Sequence, residues 1–293
     1  MEGRTEGTLV KNTGILLVQC PDRKGLDATI AEFIYRYDGN ILHFEQHQAG
    51  EERYYLARVE WDLDGFRLEL KDFPGAFGPL AKKFGMNWRI ALGSYRPRVA
   101  IFVSKYDHCL VDLLYRQRNG ELACDFLLII SNHPHAQRHA DFYGIPYYIF
   151  PVTSETKAQV EEQERELLES HQIDLLVLAR YMQVLSPEFI AHYPQRIINI
   201  HHSFLPAFGG GKPHHQAYER GVKLIGATAH YVTEVLDDGP IIEQGVTRIS
   251  HRDGLEDLVE KGRDLEKVVL SRAVRWHIEN RILLYNNKTV IFE

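Results

Sequence analysis

Cysteine is scarce in this chain: Cys20, Cys109 and Cys124 are the only three in 293 residues. They are odd in number, scattered and form no CxxC pair, which excludes a disulfide framework and a zinc knuckle. No block of basic residues is present, and 34 Lys and Arg against 40 Asp and Glu leave a net charge of −6. That balance argues against nucleic acid or an anionic membrane surface as a partner. The first dozen residues are polar and contain no apolar h-region, so no secretory signal is expected. The longest apolar runs, such as Phe126 to Ile130, fall far short of the roughly 20 residues a membrane span requires. A cytoplasmic location follows as the expectation. Internal repeats and low-complexity tracts are missing as well.

What is there is the composition of a globular protein, with 44% hydrophobic and 25% charged residues, in a chain long enough for two domains. A polar joint containing Pro97 falls at residues 94–98; proline cannot donate to a ladder and does not sit in a central strand. The expected domains are 1–93 and 99–293. Before the joint, Gly14 to Cys20 reads as a strand and Leu26 to Tyr37 as a helix with one apolar face. Ile41 to Gln48 and Arg53 to Trp61 alternate as strands, Phe66 to Phe84 reads as a Pro- and Gly-broken helix, and Met86 to Leu92 closes the unit. This βαββαβ order predicts a ferredoxin-like sandwich. Gly25 is expected to free the backbone of the first strand-to-helix turn, with Asp22 or Asp27 serving the helix N-terminus.

After the joint, strand and helix alternate, which predicts a doubly wound, mostly parallel α/β sheet. Val99 to Ser104, Phe126 to Ser131, Tyr147 to Phe150, Leu175 to Ala179 and Ile197 to Ile200 are the strand candidates, with Glu155 to His171 the clearest helix. The charged tract Glu161 to Glu169 is expected to be a solvated helix face, and His133 to His139 a solvent-facing helix start. Ligands of such sheets bind beyond the carboxyl ends of the strands, where Asn132, Arg180 and His201 are expected.

The densest polar segment runs from Asn199 to Pro206, directly after an apolar strand. Asn199 and His201 are two apart, so an extended backbone projects both to one face. His230 and the adjacent pair Asp237 and Asp238 follow. An amide that donates, an imidazole that carries a proton and a carboxylate together suit attack on a carbonyl. No GxSxG serine or cysteine lies beside them, which favours direct attack by water or an amine over an acyl-enzyme. The pairs His201–His202 and His214–His215 raise zinc, but neighbours on a strand point to opposite faces and no Cys or Glu stands at ligand spacing. No metal is expected.

Two stretches resemble known families. Cys20 to Ile41, with its Asp22 and Gly25 turn, resembles the ACT family of regulatory domains. That resemblance implies pairing of sheets into a homo-oligomer and an amino-acid effector near the turn. Ile197 to Gln244 resembles the folate-dependent formyltransferases, whose pattern is N-x-H, H-x-V, then L-D-x-G-P; here it is carried by Asn199, His201, His230, Asp237 and Gly239. The resemblance implies Asn199, His201 and Asp237 as catalytic residues. It implies a folate pocket from His230, Gly239 and the loop residues Arg180, Tyr181, Met182, Val184 and Leu185. Within that family, members that make purine precursors carry a glycine-rich first βα loop for the acceptor's phosphate. Here that loop, residues 104–109, has no glycine and holds Asp107. The order of domains and the 201–208 and 212–232 strings resemble the branch in which water is the acceptor. Hydrolysis of 10-formyltetrahydrofolate to formate and tetrahydrofolate is thereby implied, with formate feeding purine synthesis and the one-carbon folate pool kept in balance. The folate is then the substrate, and no cofactor is implied. Residues 208–215 depart from the family at Gly209 and Gly211, where it has bulkier residues, and at His214, where it has an aromatic; the backbone freedom of the Gly209–Gly211 loop is expected to alter loop closure or folate affinity.

Overall fold

A computed structural model describes residues 12–51, 53–207 and 213–293. The polar start and the glycines at 209–211 lie outside the described residues. The chain divides into two compact units, one running to Tyr95 and resuming at Glu279–Glu293, the other comprising Arg96–Ile278.

The first unit contains β1 (Thr13–Pro21), α1 (Leu26–Arg36), β2 (Asn40–Ala49), β3 (Tyr54–Asp62), α2 (Phe73–Phe84) and β4 (Asn87–Leu92). Its sheet has the order β2-β3-β1-β4, all antiparallel, and the order of elements is the expected βαββαβ. On the helix-covered face Trp61 stacks on Phe73, whose ring neighbours Phe33 and Phe77. Gly14 lies beneath Trp61: a Cβ there would stand 2.5 Å from the indole. Gly25 has φ 89° as its turn requires, but α1 receives no side-chain cap among the described residues. Asp27 instead accepts from the Tyr55 hydroxyl at 2.7 Å, and Asp22 accepts from Gln48 at 2.9 Å. The second helix starts at Phe73 rather than Phe66, because residues 66–72 form bends and turns whose apolar members still pack on the core.

The second unit contains β5 (Arg98–Val103), α3 (His108–Arg118), β6 (Asp125–Ser131), α4 (Gln137–Tyr143) and β7 (Tyr147–Ile149). It continues through α5 (Lys157–Ser170), β8 (Leu175–Leu178), α6 (Pro187–His192), β9 (Ile197–His201), α7 (Pro213–Arg220), β10 (Leu224–Tyr231), β11 (Ile241–Arg248) and α8 (Leu255–Ile278). The sheet order is β11-β10-β9-β8-β5-β6-β7. Strands β5 to β9 pair in parallel, and β10 and β11 add antiparallel pairs at one edge. The parallel strands are covered on both faces and read as continuous runs of Val, Ile and Leu. The order reverses between β5 and β8, so the loops after these strands part there and leave a crevice.

Two expectations change. The tract Glu161–Glu169 is not wholly solvated: Val160, Glu164 and Leu168 form the buried stripe of α5 at i, i+4 spacing, and Glu164 is 1% exposed. The second unit ends at Ile278, not at residue 293. The last residues form β12 (Ile282–Tyr285) and β13 (Lys288–Ile291), whose Leu283 joins Leu17, Ala49, Leu56 and Phe292 in the core of the first unit. No helix among the described residues is long and apolar enough to cross a membrane.

Candidate active site

Strand β9 carries Asn199 and His201 to the carboxyl end of the sheet, and β10 pairs with it so that His230 stands opposite Asn199. The turn after β10 returns Asp237 to the same place. Asp237 has φ 57°, a left-handed backbone that a short polar side chain tolerates. Gly239, two residues on, packs so tightly that a Cβ would lie 1.7 Å from the Tyr231 carbonyl oxygen. The glycine therefore lets the turn close on β10, and its place is under the strand rather than on the cavity wall.

The carboxylate of Asp237 lies 3.2 Å from Nδ1 of His201 and 3.6 Å from Nε2 of His230. The His201 hydrogen bond, then the one from His230, holds the Asp237 carboxyl far below the ordinary carboxylate range despite its burial. It is ionised at any physiological pH. Nδ1 of His230 stands 2.9 Å from the Tyr231 carbonyl, which can only accept, so this nitrogen carries a proton. Its Nε2 accepts from the Asn199 amide at 3.3 Å when the ring is neutral, or donates to Asp237 when it is charged. His201 is 6% exposed, and its Nε2 has no hydrogen-bond partner among the described residues.

These groups line a cavity of about 280 Å³ together with the loop that follows β8. Arg180, Tyr181, Met182, Val184 and Leu185 all reach its wall, so of the residues expected from sequence only Gly239 stands off it. Their exposures differ: Met182 and Val184 are 53% and 57% exposed, whereas Tyr181 and Leu185 are buried. The Tyr181 hydroxyl donates to Glu164 at 3.3 Å while its ring meets Phe102 edge-on. The apolar part of the wall, with Leu178, Tyr181, Met182, Val184, Leu185 and Ile190, suits a flat heteroaromatic ligand.

Sequence reasoning missed the flank of this cavity. His202 lines it and is driven down to about 3 by burial and then by Arg180, so it is neutral. Behind it, Glu266 of α8 is 2% exposed and accepts from His108 at 2.8 Å. No local signal marks Glu266, because α8 crosses the site from far along the chain. His108, Cys109 and Glu266 are of metal-ligating type, with ligand atoms within 4.8 Å of one another. They do not fit a cation: Arg180 lies 3.5 Å from Glu266, and burial, then Glu266, raises the Cys109 thiol well above its usual range.

Residues 97–274 match the model of the formyl transferase family. A formyltetrahydrofolate deformylase of Synechocystis is 54% identical over 280 residues, covering 96% of this chain and 98% of the relative. One of Bacillus subtilis is 46% identical, with 96% and 94% covered. The crystal structure of a formyltetrahydrofolate deformylase from Pseudomonas syringae superimposes with a TM-score of 0.94 at 45% identity, covering 99% of this chain and 96% of that one. Identity at this level over nearly the whole length places the chain in the formyltetrahydrofolate deformylase family.

Proposed function

We propose that this chain hydrolyses 10-formyltetrahydrofolate to formate and tetrahydrofolate, with Asn199, His201 and Asp237 acting on the formyl group. The observation that carries the reading is the pairing of one ionised carboxylate with two histidines in one cavity, while Nε2 of His201 has no hydrogen-bond partner among the described residues. The pterin lies against the Arg180–Leu185 loop. Asn199 donates to the formyl oxygen, and the water attacks the formyl carbon. A carboxylate held as low as Asp237 is a weak base at neutral pH. Its part is to orient the water, keep Nδ1 of His201 protonated and take up the proton as the C–O bond forms. His201 in its charged form donates from Nε2 to the developing oxyanion. Collapse breaks the bond to N10, which receives the proton, and formic acid leaves as formate. His230 holds Asn199 and Asp237 in place.

Preorganised donors of this kind are each worth about 3–4 kcal/mol when removed. Asn199→Ala and Asp237→Asn are therefore expected to lose at least about a hundredfold in turnover with an unchanged melting temperature. The assay follows formate and tetrahydrofolate release with no acceptor present; near-normal turnover in either variant would overturn these roles.

The first unit supports an ACT-like regulatory role. Its antiparallel sheet leaves β2 and β4 as edges for pairing with a second copy, and Asp22 and Asp27 beside the Gly25 turn offer carboxylates to the ammonium group of an amino acid.

A further inference from the structure

Arg180 is an unusual choice for its position. Its φ is 64°, in the left-handed region that favours glycine. It is 9% exposed, and its Nε and Nη1 are enclosed with no hydrogen-bond partner among the described residues. A buried guanidinium with unspent donors is a liability to folding. The backbone conformation therefore does not account for an arginine here.

Its neighbours fix it in place without using up its fork. Glu266 approaches Nε only to 3.5 Å, beyond hydrogen-bond length, because its Oε2 is engaged by His108 at 2.8 Å. The Tyr106 ring covers the guanidinium at 5.3 Å and carries Arg263 at 5.5 Å. His202, which adjoins His201 at 5.2 Å between ring centres, is neutral and places no competing cation beside it. The result is a positioned cation on the wall of the cavity that also holds Asn199, His201 and Asp237.

We infer that Arg180, positioned by Glu266 and His108, is the subsite for the carboxylate product, formate, as it forms beside His201. The inference rests on the hydrolytic reading above. Hydrolysis turns a neutral formamide into an anion in a cavity where Asp237 is already ionised, so the product needs a cation other than His201 to leave the reacting position. A guanidinium fork matches a carboxylate in geometry as well as charge. The same charge repels a protonated amine, which favours water as the acceptor. His108 and Glu266 are positioning residues in this scheme.

The test is product inhibition by sodium formate, read alongside release of tetrahydrofolate. In Arg180→Gln the inhibition constant for formate is expected to rise by about tenfold or more, the usual worth of a charged hydrogen bond. Arg180→Lys keeps the charge but loses the fork, and is expected to fall between it and the parent protein; it decides the question alone if the glutamine variant does not fold. Formate inhibition unchanged in the folded variants overturns the assignment while leaving hydrolysis intact. A raised KM for the folate with formate inhibition unchanged also overturns it, and assigns Arg180 to a carboxylate of the folate. If the parent protein releases no tetrahydrofolate at all, it is the hydrolytic reading that fails.

Discussion

At Gly239 the smallest side chain decides whether a turn can close. A methyl group there would stand 1.7 Å from the Tyr231 carbonyl oxygen, and the backbone on both sides is tied, since the Tyr231 amide donates to Pro240 at 3.0 Å. Gly239→Ala must push the turn away from β10 and take Asp237 with it. A loss of about 2–4 kcal/mol in stability is expected from such a clash, with turnover falling further than stability because His201 loses its carboxylate; melting and formate release together check this. Glu164 supplies a different residue-scale test. Burial lifts it from 4.5 to about 7, only partly offset by the Tyr181 hydroxyl. The folded protein therefore holds a proton that the unfolded chain has already released between those values. Glu164 costs nothing below the unfolded value, and the cost grows as pH rises through 7, to about 3 kcal/mol. Glu164→Gln is expected to flatten the fall in stability between pH 5 and 8; denaturant titrations of both proteins across that range that stay parallel would refute it.

The elements that could be read from sequence are those whose pattern is local. Strands β5, β6 and β8 announce themselves as short runs of Val, Ile and Leu, β1 as an apolar β-prone run, and β2 and β3 by alternation. The helix α5 was recognisable, but its buried Glu164 was not: the charges of Glu161–Glu169 look uniform until the stripe Val160, Glu164, Leu168 is laid against the sheet. Asn199 and His201 share a strand, so period 2 alone puts them on one face. His230 joins them only through the antiparallel register of β10 on β9, and Glu266 only through the path of α8. Neither fact has a local signature: Arg180 is expected at the end of β8, but nothing local to it points to Glu266 and His108 beside it. Gly262, one turn before Glu266 on α8, would have met His214 Nε2 at 2.2 Å with a Cβ, another constraint set wholly by a distant segment.

The whole chain leaves its first unit at Tyr95 and comes back to it at Glu279, so the stability of that unit depends on residues at the far end of the sequence. The returning hairpin covers one face of the β2-β3-β1-β4 sheet. Leu283 and Phe292 pack on Leu17, Ala49 and Leu56, and Tyr285 stacks on Tyr54 at 5.1 Å. The same segment serves a buried ion pair. Arg58 and Glu60 lie 2.9 Å apart with side chains 4% and 5% exposed, and Arg58 donates from Nε to the Asn280 carbonyl at 3.0 Å. Thr13 donates to the other oxygen of Glu60 at 3.0 Å. A buried pair is tolerable only while its remaining donors and acceptors are satisfied. Removing the returning segment from Glu279 on strips the Asn280 and Glu279 carbonyls from Arg58 and opens the apolar patch at the same time. Phe292→Ala alone is expected to cost about 3–5 kcal/mol, and a chain ending at Ile278 more than that. The first unit of the shortened chain should then unfold at a lower denaturant concentration than in the full chain. Proteolysis followed by mass spectrometry checks this, with early cuts expected between residues 13 and 92; a first unit that resists as long as it does in the full chain would show that the returning hairpin is ornamental to its fold.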